Sequence, residues 1–93
     1  MKLSMDELVN AICLFMAERK QVKPTDVEVE LLWDEALGFS AEAFVQGRSQ
    51  FLIEANIKEA IERYMLNEYD RRVYRSQIEL DVDDEEMFAL IAE

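Results

Sequence analysis

The sequence predicts an α+β fold: a small, mainly antiparallel sheet of three to four strands with two main helices on one face, in the order α-β-β-β-α-β-α. Three observations predict it. Val27 to Asp34 alternates between apolar and polar residues, with Leu32 the one apolar residue on the polar side, as a strand with one buried face does. The apolar run Phe51, Leu52, Ile53 feeds directly into the longest helical signal of the chain, Gln50 to Arg72. Only two glycines and one proline occur in 93 residues, which favours regular elements and short connections. Residues 1–93 are read as one domain, long enough to bury a core without metal or disulfide staples.

The first helix is expected from about Ser4 to Gln21. Ser4 and Glu7 have the spacing of a capping box, and Leu3 and Leu8 that of a hydrophobic staple. Met5, Leu8, Val9, Ile12, Cys13 and Met16 recur at helical spacing. Leu14 and Phe15 fall beside that stripe, so the apolar face is wide, and these two residues are candidates for contact with a partner subunit. Arg19 and Lys20 close the helix with the sign its C-terminal dipole favours. Cys13 lies in the stripe and no histidine is present to act as its base, so it reads as a structural thiol.

Val22 to Asp26 is a connector, since Pro24 holds Lys23 extended and stops a helix there. The first strand then carries Val27, Val29, Leu31 and Trp33 on one face and Glu28, Glu30, Leu32 and Asp34 on the other. Asp34 to Gly38 reads as a hairpin loop, and Phe39 to Gln46 as the second strand. Its Phe39, Ala41, Ala43 and Val45 share a face, with alanines small enough to let a helix lie close. A tight turn at Gln46-Gly47-Arg48-Ser49 leads into a short third strand, Gln50 to Ile53.

The long helix is expected over about Glu54 to Arg72, with Ile53, Ile57, Ala60, Ile61 and Tyr64 as its buried stripe. Asn56 and Glu59 have capping-box spacing and point to a start at Asn56. The pairs Lys58–Glu62 and Glu59–Arg63 are spaced to support it, and Arg71, Arg72 and Arg75 to complement its dipole. Gln77 to Val82 alternates as a strand. Asp83 to Glu86 reads as the acidic N-terminus of a short terminal helix containing Met87, Phe88, Leu90 and Ile91, with Asp83 as N-cap.

Composition bounds the function. The net charge is -11, yet 51% of residues are hydrophobic, so the chain is a folded acidic protein. It repels nucleic acid and anionic lipid, and no apolar run approaches the roughly 20 residues of a membrane span. The N-terminal residues, with Asp6 and Glu7 at once, do not form a secretory signal. One cysteine excludes an intrachain disulfide and fits a reducing cytoplasm. Absence of histidine removes Ser-His and Cys-His machinery and imidazole metal ligands, and the isolated glycines form no phosphate-cradling loop.

Two acidic constellations remain. Asp81, Asp83 and Glu85 fall at positions one, three and five of a calcium-loop pattern, but Glu86 stands where the glycine belongs and Ala92 where the glutamate belongs. They are the candidate metal ligands. Glu28, Glu30, Asp34 and Glu42 share the outer strand face without an orienting partner that would make them an acid–base pair. Leu32 and Phe44, large apolar residues among those carboxylates, are candidate interface residues.

The helix–strand–strand–strand–helix order resembles the double-stranded RNA-binding domain in topology, but Glu54 to Glu59 holds only Lys58 where that domain has a lysine cluster. The segments GFSAEAFVQGRSQFLIEANIKEAI (Gly38 to Ile61) and QIELDVDDEE (Gln77 to Glu86) resemble a family of small acidic, uncharacterised YxcD-like proteins of Bacillales. That resemblance implies a small cytoplasmic domain and carries no site residues.

The expected function is therefore a small non-catalytic cytoplasmic protein–protein interaction module, homodimeric, without cofactor and without nucleic-acid or membrane partners. Its alternative is an acidic inhibitor or nucleic-acid mimic that occupies a basic partner. A divalent-metal-binding protein is the third reading.

Overall fold

The computed structural model describes residues 1–36 and 38–92. Its elements are β1 (Lys2–Leu3), α1 (Met5–Lys20), β2 (Val27–Asp34), β3 (Gly38–Val45), β4 (Arg48–Ile53), α2 (Glu54–Tyr69), β5 (Ile78–Asp83) and β6 (Glu86–Ile91). The architecture is α+β, as expected, but the strands form two antiparallel sheets of three, ordered β1-β6-β5 and β2-β3-β4, in place of one sheet of three to four.

Helix α1 begins and ends where its caps dictate. Ser4 accepts the Glu7 N–H at 3.3 Å, and Gln21 adopts the left-handed conformation beyond Lys20. The box is half closed, because the Glu7 carboxylate turns to Tyr64 and Tyr69 of α2. At α2, Asn56 is the third helical residue and not the cap. Its Oδ1 accepts the Ile53 N–H at 3.1 Å, so the helix starts at Glu54 directly out of β4. It ends at Tyr69, with left-handed Asp70 beyond it. Arg71 and Arg72 thus lie outside the helix they were expected to complement.

The ion pairs also differ from the expected ones. Lys58 pairs with Glu54 at 3.2 Å, Arg63 crosses to Glu18 of α1, and Arg75 reaches Glu62 at 3.6 Å and Glu59 at 4.0 Å. Lys58 exchanges one partner within α2 for another, whereas for Arg63, Glu59 and Glu62 tertiary neighbours outcompete pairings within one helix that are each worth only about 0.2–0.5 kcal/mol.

The largest departure concerns the residues after Asp83. The expected terminal helix is a strand, β6, joined to β5 by a two-residue turn in which Asp84 and Glu85 both have positive φ, 50° and 64°. Met87, Ala89 and Ile91 face inward opposite Val82, Leu80 and Ile78, so the period is two, and the core takes every second side chain. Strand β1 was not expected. It pairs Lys2 with Leu90 and Leu3 with Ala89, and the Ile91 N–H donates to the Met1 carbonyl at 2.8 Å.

The β2-β3-β4 sheet forms from the three expected strands, but β3 runs Gly38–Val45 in place of Phe39 to Gln46 and β4 begins at Arg48, two residues before the expected Gln50. Val27 pairs with Val45, Leu31 with Ala41 and Trp33 with Phe39. The loop after Asp34 opens with its Oδ1 accepting the Ala36 N–H at 2.7 Å, and Leu37 of the expected Asp34–Gly38 hairpin lies outside the described residues. The β3–β4 turn is Gln46-Gly47, with φ of 52° and 78°, the conformation of a primed hairpin turn.

Both helices lie on one side of their sheets, α1 against β2, β6 and α2, and α2 against β3 and β4. Leu8, Ile12, Met16, Leu52, Ile57, Ile61, Met65 and Met87 are fully buried between the layers. Ala41 and Ala43 of β3, also buried, give the helices room to approach. Ile53, expected in the α2 stripe, is 64% exposed, because as the residue before the helix it still follows the strand alternation. Among the described residues no helix is long and apolar enough to cross a membrane.

Candidate interaction surface

The side of β2-β3-β4 turned away from the helices is built by strand alternation alone. Reading across the sheet, its rows are Glu28–Phe44–Ser49, Glu30–Glu42–Phe51 and Leu32–Ser40–Ile53. Phe44 and Phe51 sit one row apart on adjacent strands, near enough for large side chains to share a surface. Phe51 and Ile53 are each 64% exposed and Phe44 is 37% exposed, while Leu32 is half-buried. Three aromatic or branched side chains in that state on one face form a patch, unlike apolar residues scattered singly.

Carboxylates flank this patch. Glu28 and Glu30 stand on β2, and Glu42 lies directly opposite both Glu30 and Phe51. Like charges opposed across two strands repel, so the Glu30–Glu42 row adds nothing to the sheet's own stability. An approaching cation would relieve it.

Leu32 and Phe44, expected here from sequence, are on this face. Phe51 and Ile53 were missed as surface residues. Counting register through the Gln46-Gly47 turn would have found them, since a two-residue turn fixes which β4 side chains share the face of Phe44. The other two expected interface residues lie elsewhere. Phe15 is buried and carries the Arg19 guanidinium over its ring at 5.2 Å, and Leu14 packs half-buried against the core. With Ala60, Arg63 and Tyr64 they line the junction of α1 with α2, so the wide face of α1 is occupied by the second helix.

The acidic run is spread along a hairpin. Asp81 lies across from Phe88 and Asp83 from Glu86, while Glu85 occupies the turn between the strands. Asp81 accepts the N–H of Val82 at 2.8 Å. Among the described residues, no three acidic, cysteine or histidine side chains are grouped to hold a metal ion. The thiol of Cys13 donates to the Val27 carbonyl at 3.6 Å, and burial pushes its pKa up, away from nucleophilic thiolate.

Comparison with known proteins gives two similarities. A family profile described as protein of unknown function (DUF2653) matches residues 1–85. The chain is also 28% identical over 90 residues to the uncharacterised protein YxcD of Bacillus subtilis, covering 96% of this chain and 88% of that protein. No solved structure matches.

Proposed function

We propose that this chain, which belongs to the DUF2653 family of proteins of unknown function, is a non-catalytic interaction module whose outer β2-β3-β4 face docks a basic, apolar partner protein. One observation carries the reading: Phe44, Phe51 and Ile53 stand exposed together beside Glu28, Glu30 and Glu42. Burying aromatic and branched side chains supplies affinity, and complementary charge at the rim supplies rate and selectivity. The chemistry of the partner follows: an apolar centre edged with lysine or arginine.

A second copy of this chain is less suited to the face. Each subunit carries a net charge of -11, and stacking two such faces sets like carboxylates against one another. The single cysteine supports a reducing, cytoplasmic setting for the module.

The test is titration of an isotope-labelled sample with an amphipathic leucine–lysine helical peptide. Amide shifts should concentrate on β2, β3 and β4, and binding should weaken in Phe51→Ser and as salt rises. Shifts confined to other elements, or binding indifferent to salt, would sink the proposal. Light scattering on the same samples addresses self-association: a stable dimer that Phe51→Ser dissolves assigns the face to a second copy instead.

A further inference from the structure

Strands β1, β5, β2 and β4 form the edges of the two sheets. Strand β1 has two residues, too few to pair with another chain. The other edges are long enough, and two of them are guarded. Strand β2 carries exposed Glu28, Glu30 and Asp34, and the Cys13 thiol donates to its Val27 carbonyl. Strand β5 carries exposed Glu79, Asp81 and Asp83, and the Asp81 carboxylate accepts its Val82 N–H. Charges on an edge, and backbone groups already satisfied, keep a sheet from adding strands of other chains.

Strand β4 has neither protection. Arg48-Ser49-Gln50-Phe51-Leu52-Ile53 contains no carboxylate, in a chain with 21 Asp and Glu. It has no proline, and its register with β3 is unbroken by a bulge. Arg48, Ser49, Gln50 and Phe51 are exposed in succession, so no helix or loop covers this stretch. The Gln46-Gly47 turn decides which backbone groups face outward. In a two-residue hairpin the flanking pair, here Val45 and Arg48, exchanges both hydrogen bonds, and the pair after it does not. Arg48, Gln50 and Leu52 therefore bond β3, whereas Ser49, Phe51 and Ile53 turn their N–H and C=O to the edge. The Ile53 N–H is taken by Asn56, and its carbonyl opens the α2 ladder. Ser49 and Phe51 have no backbone partner on the edge side among the described residues.

We propose that β4 pairs antiparallel with β4 of a second copy, joining two three-stranded sheets edge to edge. Symmetry and the free groups fix the register. Gln50 stands opposite Gln50 of the copy and Ser49 opposite its Phe51, so every free N–H and C=O of these residues finds a partner. The two junctions of β4 with α2 then lie at opposite ends of the seam, and neither helix meets its counterpart there. The outer faces come side by side and not stacked, with their carboxylates beginning one strand back, at Glu42 of β3. A copy that is unsuited to the face is thus suited to the edge.

Analytical ultracentrifugation of the chain tests this. The expected result is a concentration-dependent dimer that tightens as salt rises, because salt screens the repulsion between chains of net charge -11. Ser49→Pro removes an edge-facing N–H and leaves the β3 ladder whole, so it should weaken the dimer at least about tenfold. Gln50→Glu and Gln50→Lys each set like charges opposite one another and should be monomeric alone, and mixing them should restore a dimer. Phe51→Ser keeps the backbone groups and keeps the dimer. Circular dichroism checks folding, and because Gln50 is exposed its charge variants decide the matter even if Ser49→Pro fails to fold. The proposal is overturned by a monomer at every salt concentration, by a folded Ser49→Pro that pairs undiminished, or by a Glu–Lys mixture that stays monomeric. A dimer that Phe51→Ser dissolves belongs to stacked faces and overturns it too. So does an extended peptide that protects the Ser49 and Phe51 amides of a monomeric chain, which gives the edge to a partner strand. The basic partner proposed above sits on the face and loosens as salt rises, so the two readings fail separately.

Discussion

Tyr69, the last residue of α2, donates a hydrogen bond at 2.7 Å to Glu7 in the first turn of α1. Tyr64, one turn earlier, reaches the same carboxylate oxygen at 3.4 Å, and the two rings meet edge to face with centroids 5.9 Å apart. One carboxylate thereby ties the start of one helix to the end of the other, and it is the same carboxylate that leaves the Ser4 capping box half closed.

This link predicts an alkaline transition. The bond to Glu7 pushes the Tyr69 hydroxyl from 10.0 up to about 12, because ionisation would surrender the donated proton and face the phenolate with a carboxylate. The folded value lies above the unfolded one, so the stabilisation is complete below pH ~10 and is lost as pH rises toward ~12. Phenolate absorbance should show a step near pH 12 that vanishes in Tyr69→Phe, and the variant should melt at a lower temperature at pH 8. A titration that Tyr69→Phe leaves unaltered contradicts the bond.

The Asp84-Glu85 turn offers a second test. Both residues hold left-handed backbone that costs non-glycine residues about 1–2 kcal/mol each. Replacing them together with Asn and Gly, the residues a primed two-residue hairpin prefers, should stabilise the protein by roughly 0.5–2 kcal/mol in urea denaturation. Were this segment the helix its acidic run suggests, glycine there would cost about 1 kcal/mol instead, so the sign alone decides.

That same segment shows what sequence could and could not tell. Alternation from Val27 to Asp34 and the Ser4, Arg19 and Lys20 signals fix β2 and α1 because each is long enough to repeat its period several times. In β6 the alternation of Met87, Ala89 and Ile91 is hidden by Phe88 and Leu90 between them, and acidic residues before an apolar run imitate a helix start. Strand β1 has two residues, too few to show any period. Only half of the candidate interaction face was legible. Leu32 and Phe44 stood out among carboxylates, whereas Phe51 and Ile53 look like core in a run with Leu52 until the turn sets their register.

Adjacent residues of β4 supply a third test. Leu52 is 1% exposed and Phe51 is 64% exposed. Leu52→Ala should cost about 2–5 kcal/mol, with the spread set by how far the cavity collapses. Phe51→Ala should cost less than about 1 kcal/mol, the scale of a cross-strand pair on the open face. Chemical denaturation measures both. The reverse ranking would mean that β4 is displaced by one residue, which exchanges its two faces.

The pairing of β1 with β6 has a consequence for how the chain is made. The amino group of Met1 donates to the carbonyl of Ile91 at 3.0 Å, so residues 90 apart in sequence share a hydrogen bond. A chain emerging from the ribosome can zip β2, β3 and β4 through their short turns and lay α2 beside them while β6 is still unmade. Leu3 and the side of α1 that faces β6 must wait, their apolar groups uncovered, until translation has passed Ile91. The half of the protein with the nearest neighbours in sequence can assemble early in synthesis, and the half that joins β1 to β6 can do so only once residue 91 has emerged.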